Sequence, residues 1–295
     1  MAKNFNMPLP SSLTHQHLAT IANTLKASDV DVLRILDAGC GDGKFAAFIY
    51  QYLKHLNPNL DVEIYGFDVA DHGVQSIGFI EKTIENLNNQ IPSIQWREKI
   101  RSITIGEKWP YGNGFFDFII SNQVLEHVHN KLEFFKECYR CLRDGGFSIH
   151  LAPLKHYIYE GHLFLPWVHR IRSHDFLIKY IYTLSGWGLG KFKGQSKLAG
   201  VTRDDFSIAH ADYVYFWTSY NTESETIDLA KMAGFRGSFR YSLEFYLLKL
   251  RQKFHQQYPE KYKRRSVLFE TLMIKFLRYL SSNTLVLEKK NIYER

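Results

Sequence analysis

Cysteine is scarce: Cys40, Cys138 and Cys141 are too few and too unevenly placed to staple 295 residues, which fits a reducing compartment and a cytoplasmic location. No run reaches the roughly eighteen apolar residues that a membrane span needs. The opening stretch MAKNFNMPLPSSLTHQHL has no apolar core of a secretion signal, so neither an anchor nor secretion is expected. Internal repeats and low-complexity tracts are absent as well. Acidic residues are in deficit, 30 Asp and Glu against 37 Lys and Arg, and the resulting +7 favours anionic partners such as phosphates, nucleic acid or lipid headgroups. These basic residues are spread along the chain without a recognised nucleic-acid motif, which argues against a nucleic-acid partner. What remains is a globular composition, 45% apolar and 23% charged, on a chain able to bury about three quarters of its unfolded surface.

Short apolar runs alternate with helix-period segments through the first half, the pattern of a parallel sheet with crossover helices. Val32 to Leu36 reads as the first strand, followed by a helical face of Phe45, Phe48, Ile49, Tyr52 and Leu53. Val62 to Phe67 reads as the second, with a helix through Ile77, Ile80, Ile84 and Leu87. Ile94 to Trp96 is the candidate third strand and Phe115 to Ile120 the fourth. A helix over Asn130 to Leu142 and a fifth strand over Phe147 to Leu151 complete the series. Beyond Pro153 the alternation breaks, and residues 154–222, rich in Tyr, Trp, His and Gly, read as an irregular aromatic-lined insertion. A helix from Thr226 to Ala233, a strand from Ser238 to Tyr241, a basic helical arm over 243–280 and a strand from Thr284 to Glu288 close the chain.

The first strand runs into Asp37-Ala38-Gly39-Cys40-Gly41-Asp42-Gly43-Lys44, three glycines at alternate positions between strand and helix. Such a loop lets a nucleotide-like ligand lie against backbone amides. Asp68, at the tip of the second strand, adds a carboxylate able to accept ribose hydroxyl protons. The third glycine of a nicotinamide fingerprint is missing, and Lys44 is followed by Phe45 rather than the Ser or Thr of a P-loop.

On these residues, with ILDAGCGDG (35–43), GFD (66–68), WPYGNGFFDFIISNQVLEHV (109–128) and FFKECYRCLRDGGFSIHLAP (134–153), the sequence resembles the class I S-adenosylmethionine-dependent methyltransferases. Within them it is similar to the type 11 group, which includes the quinone-biosynthesis enzymes. The resemblance covers roughly residues 30–153 and implies a Rossmann-like, doubly wound α/β fold. Its mostly parallel sheet would have seven strands, with helices on both faces and an inserted cap. It implies S-adenosylmethionine as cofactor, with Asp37, Gly39, Cys40 and Gly41 under the methionine half, Asp68 on the ribose and Val69 on the adenine. Asn122 and Gln123 would reach the amino acid end, and Glu98 stands in for an acid at the adenine amine. Some relatives hold a metal with Glu-x-x-Glu-His; Gln123 replaces the first Glu here, so no metal is expected.

His127 and His156 are the candidate bases for a hydroxyl acceptor, the first after the fourth strand and the second in a loop leaving the fifth. His127 can equally serve only to order its loop. Within His156-Tyr157-Ile158-Tyr159-Glu160-Gly161-His162, His156 is preferred as nearest the strand end. Tyr213, Tyr215, Phe216, Trp217 and Tyr220 have the density that stacks on sugar or quinone rings, or that fills a core. Cys138 and Cys141 share an apolar helix stripe and read as packing, and His150 as structural.

The expected organisation is an N-terminal helical segment (1–28), a cofactor-binding core (29–153), an acceptor-binding cap (154–222) and closing strands with a basic arm (223–295). The expected activity is O-methylation of a saccharide or glycan precursor, with a quinone-like or other small metabolite second. A non-catalytic protein binding an anionic ligand or nucleic acid is the alternative of another class. The arm, with Lys261, Lys263, Arg264 and Arg265 before an apolar helix, either packs on the core or touches an anionic membrane.

Overall fold

The computed structural model describes residues 8, 10, 12–27, 30–69 and 78–290. Its order runs α1 (Leu13–Leu25), β1 (Val32–Ala38), α2 (Lys44–Leu56), β2 (Asp61–Val69), α3 (Phe79–Gln90), a one-turn α4 (Trp96–Lys99), β3 (Ile100–Ile103), β4 (Phe116–Asn122), α5 (Lys131–Cys141) and β5 (Leu142–Ala152). A two-stranded hairpin, β6 (Tyr159–Glu160) and β7 (Leu165–Pro166), then leads to α6 (His174–Gly186), α7 (Phe192–Ala199) and α8 (Arg203–Trp217). The chain closes with α9 (Glu223–Met232), β8 (Arg236–Ser238), α10 (Ser242–Lys253), α11 (Val267–Leu277) and β9 (Asn283–Glu288).

The main sheet has the order β3-β2-β1-β4-β5-β9-β8. Its first five strands are parallel, while β9 pairs antiparallel to both β5 and β8. Strand alternation sends Leu33 and Ile35 of β1 to one face, under α1, α2 and α3, and Leu36 and Ala38 to the other, under α5 and α9. The order reverses at β1, which has β2 on one side and β4 on the other, so loops leaving β1 and β4 part in opposite directions and open a crevice at the carboxyl edge. The expected doubly wound architecture is present.

Several local expectations are corrected. Ile94 to Trp96 is not a strand: Trp96 is buried in α4, its indole N–H donating to the Ile91 carbonyl at 3.0 Å, and the edge strand follows at Ile100. The strand expected at Ser238 to Tyr241 lies earlier, at Arg236–Ser238, and shares only Ser238 with it, because Tyr241 takes φ 68° and caps α10. β5 begins at Leu142, earlier than expected, and α3 begins at Phe79; Ile77 lies outside the described residues, while Ile84 and Leu87 are buried as the periodicity required. The supposed single arm helix is two, α10 and α11, separated by an extended strap. That strap is held to the core by backbone: the Pro259 and Glu260 carbonyls accept from Thr20 and Asn23, and buried Tyr262 meets His17 at 2.9 Å.

The insertion is helical rather than irregular. Leu163, Leu165, Val168, Leu177, Ile181, Phe206, Ala211 and Val214 form a hydrophobic cluster of their own, so α6 and α8 bury against each other and the hairpin. Thr202 caps α8, and Thr222 with Glu225 forms a capping box at α9. No helix among the described residues is long and apolar enough to cross a membrane.

Candidate active site

The glycine loop is closed by backbone. Gly39 and Cys40 both donate to the Phe67 carbonyl at 2.9 Å, and Gly43 donates to Cys40 at 2.9 Å. Gly39 has φ 83°, and a Cβ there would stand 2.6 Å from Val124 Cγ2, which brings the loop after β4 against the loop after β1. Gly41 differs: a Cβ would meet open space, and its N–H donates to Asp68 Oδ2 at 2.7 Å. The other Asp68 oxygen accepts from Val69 N at 2.9 Å.

Three carboxylates surround this loop. Asp37 is buried, its Oδ2 lacks a hydrogen-bond partner among the described residues, and burial first, then the charges of Asp68 and Asp42, push its carboxyl well above the ordinary range. A buried anion beside two more anions is a site for positive charge. Cys40 is buried here too, its thiol raised by burial and by Asp37.

α1 lies over the crevice through an apolar inner face, and its first turn enters the site. Asn122 Nδ2 donates to Thr14 Oγ1 at 3.0 Å, leaving Asn122 Oδ1 buried and unpartnered. The His15 ring lies tilted 5.3 Å from that of Phe45, and burial holds its imidazole down at about 4. Gln123 takes φ 56° and turns to the far side, its Nε2 3.2 Å from Ser282 Oγ. Glu98 is not at the edge. It is exposed in α4, ahead of Ile100, which pairs with Gly66, so it lies at the amino end of β3, whereas Asp68 pairs with Ser102. The carboxylate at the carboxyl end of that strand is Glu107, accepting from Thr104 N at 2.9 Å; locating β3 at 100–103 in the sequence would have shown it.

Beyond β4 a second cluster joins core to cap. His127 Nδ1 lies 2.9 Å from the Trp217 carbonyl, which can only accept, so the proton is assigned to Nδ1 and Nε2 is the basic nitrogen. Nε2 is 3.3 Å from Tyr213 Oη, itself 3.1 Å from His162 Nε2. His162 Nδ1 lies 2.5 Å from Glu160 Oε1, which also accepts from Tyr220 Oη at 3.0 Å, and Glu160 Oε2 accepts the His162 and Leu163 amides. Burial works against a charged His162, but the bond and charge of Glu160 outweigh it and the imidazole is raised above its ordinary value. Glu126 is buried beside this chain and pushed by burial to about 7, while burial lowers Lys131 to about 8.

His156 is not part of this cluster: its ring packs on Tyr279 at 5.7 Å, and burial and Arg278 lower its imidazole. The hairpin explains the reversal. Glu160 and Leu165 pair across β6 and β7, so the chain doubles back and returns His162, not the residue nearest the strand end, to the edge. Tyr213, expected as a stacking ring or as core, supplies a hydroxyl. Cys138 and Cys141 are buried in core, and His150 is held between Ser121 and Ser148 at 2.7 Å each, as expected. Among the described residues no group of three or more His, Cys, Asp or Glu is arranged to hold a metal.

Comparison with known proteins bears on the same regions. A Mycolicibacterium smegmatis protein named "Probable S-adenosylmethionine-dependent methyltransferase" is 31% identical over 114 residues, 36% of this chain and 42% of that one. The chain thus spans less than half the length of this curated relative. Among solved structures, phosphoethanolamine N-methyltransferase 2 of Haemonchus contortus in complex with S-adenosyl-L-methionine superposes with TM-score 0.48 at 14% identity, over 98% of this chain and 54% of that one. An S-adenosylmethionine-dependent methyltransferase of Mesorhizobium loti gives TM-score 0.45 at 12% identity, over 89% and 93%. The family model described as Methyltransferase domain matches residues 13–182, more than half of the chain and from α1 into α6. The chain belongs to the methyltransferase-domain family.

Proposed function

We propose that this protein is an S-adenosylmethionine-dependent methyltransferase that methylates a hydroxyl of a saccharide or glycan precursor. The observation that carries the cofactor is the charge of the glycine loop. Burial, then the charges of Asp68 and Asp42, raises the cost of ionising Asp37, so a pyrophosphate would be repelled there, whereas a ligand bearing an ammonium and a sulfonium would relieve the buried Asp37 carboxylate. S-adenosylmethionine, when bound, supplies both cations and a methyl group already activated for transfer. Asp37, Gly39, Cys40 and Gly41 would hold its methionine half, Asp68 the ribose and Val69 the adenine face, with Asn122 at the amino acid end. Gln123 is turned away from that role, and Glu107 suits the adenine amine better than Glu98.

His127 then has the chemistry of the base. With its proton on Nδ1, the basic Nε2, which meets the Tyr213 hydroxyl at 3.3 Å, would take the acceptor's hydroxyl proton, and the Trp217 carbonyl would steady the imidazolium that results. Tyr213 and His162 set a hydroxyl and an imidazole beside it, held from below by the buried Glu160, which suits a polyhydroxylated acceptor. A quinone-like ring would be served by apolar walls instead.

Calorimetry with S-adenosylmethionine and NADH tests the cofactor: micromolar binding of the first alone is expected, and binding of NADH alone would overturn the reading. Incubation with methyl-labelled cofactor and a panel of sugars, nucleotide sugars and quinols tests the acceptor. Label on quinols and not on sugars would reassign it.

A further inference from the structure

Charge and exposed apolar surface converge on one part of the molecule. Residues 242–280 hold nine Lys and Arg against three Glu, a net +6 out of the whole chain's +7. Within that span α11 turns Ile274 and Leu277 inward, and Glu270 on the same side reaches the Tyr241 N–H. Its opposite side carries Leu268, Leu272 and Phe276 at a spacing of four, which sets them in one row along the helix. Their exposures are 72%, 58% and 60%. Phe269 and Val267 widen the row, Lys275 flanks it, and the exposed side carries no acidic residue. An amphipathic helix with its apolar row in water is the reverse of what a core needs.

The strap before α11 supplies the charge. Tyr262 is buried against α1 and Arg265 pairs with Glu244 at 2.7 Å, so these two fasten the segment while Lys261, Lys263 and Arg264 stay exposed. Three cations followed directly by an apolar row match a bilayer of anionic lipid, with headgroups over the first and acyl chains under the second. A second copy is a poor match, because a two-fold contact would bring each +6 surface against its twin. Just past α11 the chain is tied to the core, the Tyr279 carbonyl accepting from Ile158 N at 3.1 Å and Ser282 meeting Gln123.

We propose that α11 and the preceding strap dock the protein peripherally on an anionic membrane. This stands apart from the assignment of cofactor and acceptor. The test is co-sedimentation of the full chain with vesicles of phosphatidylcholine containing phosphatidylglycerol and with phosphatidylcholine alone. Binding to the anionic vesicles at least tenfold above the neutral ones, falling as salt rises, is expected. Lys261→Gln, Lys263→Gln and Arg264→Gln together should reduce partitioning about a hundredfold, at about fivefold per charge. Leu272→Ser with Phe276→Ser should reduce it as well, and both variants should melt as the parent does because every altered side chain is exposed. Protein left in the supernatant with anionic vesicles at low salt would overturn the proposal, as would unchanged binding by both variants. So would a dimer in the ultracentrifuge that Leu272→Ser with Phe276→Ser disperses without any effect on vesicles.

Discussion

The loop after β1 and the cap occupy the same carboxyl edge, yet they carry their chemistry differently. The loop works through backbone: Gly39, Gly41 and Gly43 all have positive φ, and their amides donate in turn to the Phe67 carbonyl, the Asp68 carboxylate and the Cys40 carbonyl. The amides and the carboxylate that receives one of them come from the ends of two adjacent strands. The cap works through side chains drawn from distant positions, with Glu160 and His162 from a hairpin and Tyr213 and Tyr220 from α8 and its exit, meeting a His127 that belongs to the core. A backbone-built site tolerates little change at glycine but does not need distant segments to arrive. A side-chain site is open to variation and depends wholly on how the cap is seated.

Substitutions on either side should separate these two modes. The largest effect is expected at the junction: His127→Ala should lower turnover a hundredfold or more while cofactor affinity stays near that of the parent, read by steady-state kinetics beside calorimetry. Equal turnover would leave positioning alone as the source of catalysis. On the core side, Asp68→Ala should weaken cofactor binding by roughly 1.5–3 kcal/mol, since a charged acceptor and the brace on Gly41 are lost together. If affinity is untouched, the ribose is held elsewhere.

Glu126 gives a comparison in pH. Its carboxyl, ordinarily near 4.5, titrates at about 7 in the folded protein because it is buried. A folded value above the unfolded one means the contribution to stability is complete below pH 4.5 and is lost as pH rises through about 7. The difference is roughly 3 kcal/mol, and Glu126→Gln should flatten the melting-temperature curve across that window. A variant that keeps the parent's slope would show that another group titrates there. The smallest effect belongs to Glu98→Gln, expected to shift cofactor affinity by less than about 0.5 kcal/mol because the residue is exposed at the wrong end of β3. A larger loss would return Glu98 to the adenine site and displace Glu107.

Much of the core was readable before any coordinates. Asp37 to Gly43 and Asp68 are recognisable because strand ends, glycines and a carboxylate follow one another at short range, and a parallel sheet then has one edge at which to bring them together. Glu98 failed for a local reason: α4 displaces the edge strand by a few residues, and a shift along a parallel strand moves a side chain from one end of the sheet towards the other. His156 failed for a non-local one. Distance along the chain from a strand end says nothing once a hairpin folds the chain back.

The parallel sheet with its crossover helices, the glycine loop with its acid and the burial of Cys138 and Cys141 were determined by sequence alone, because each follows from periodicity or from conformational freedom within a few residues. The partners of His127, the exposed row on α11 and the division of the arm were decided only by tertiary structure. A histidine's tautomer and an apolar helix face acquire their meaning from what stands opposite them, and here that is set by segments dozens of residues away.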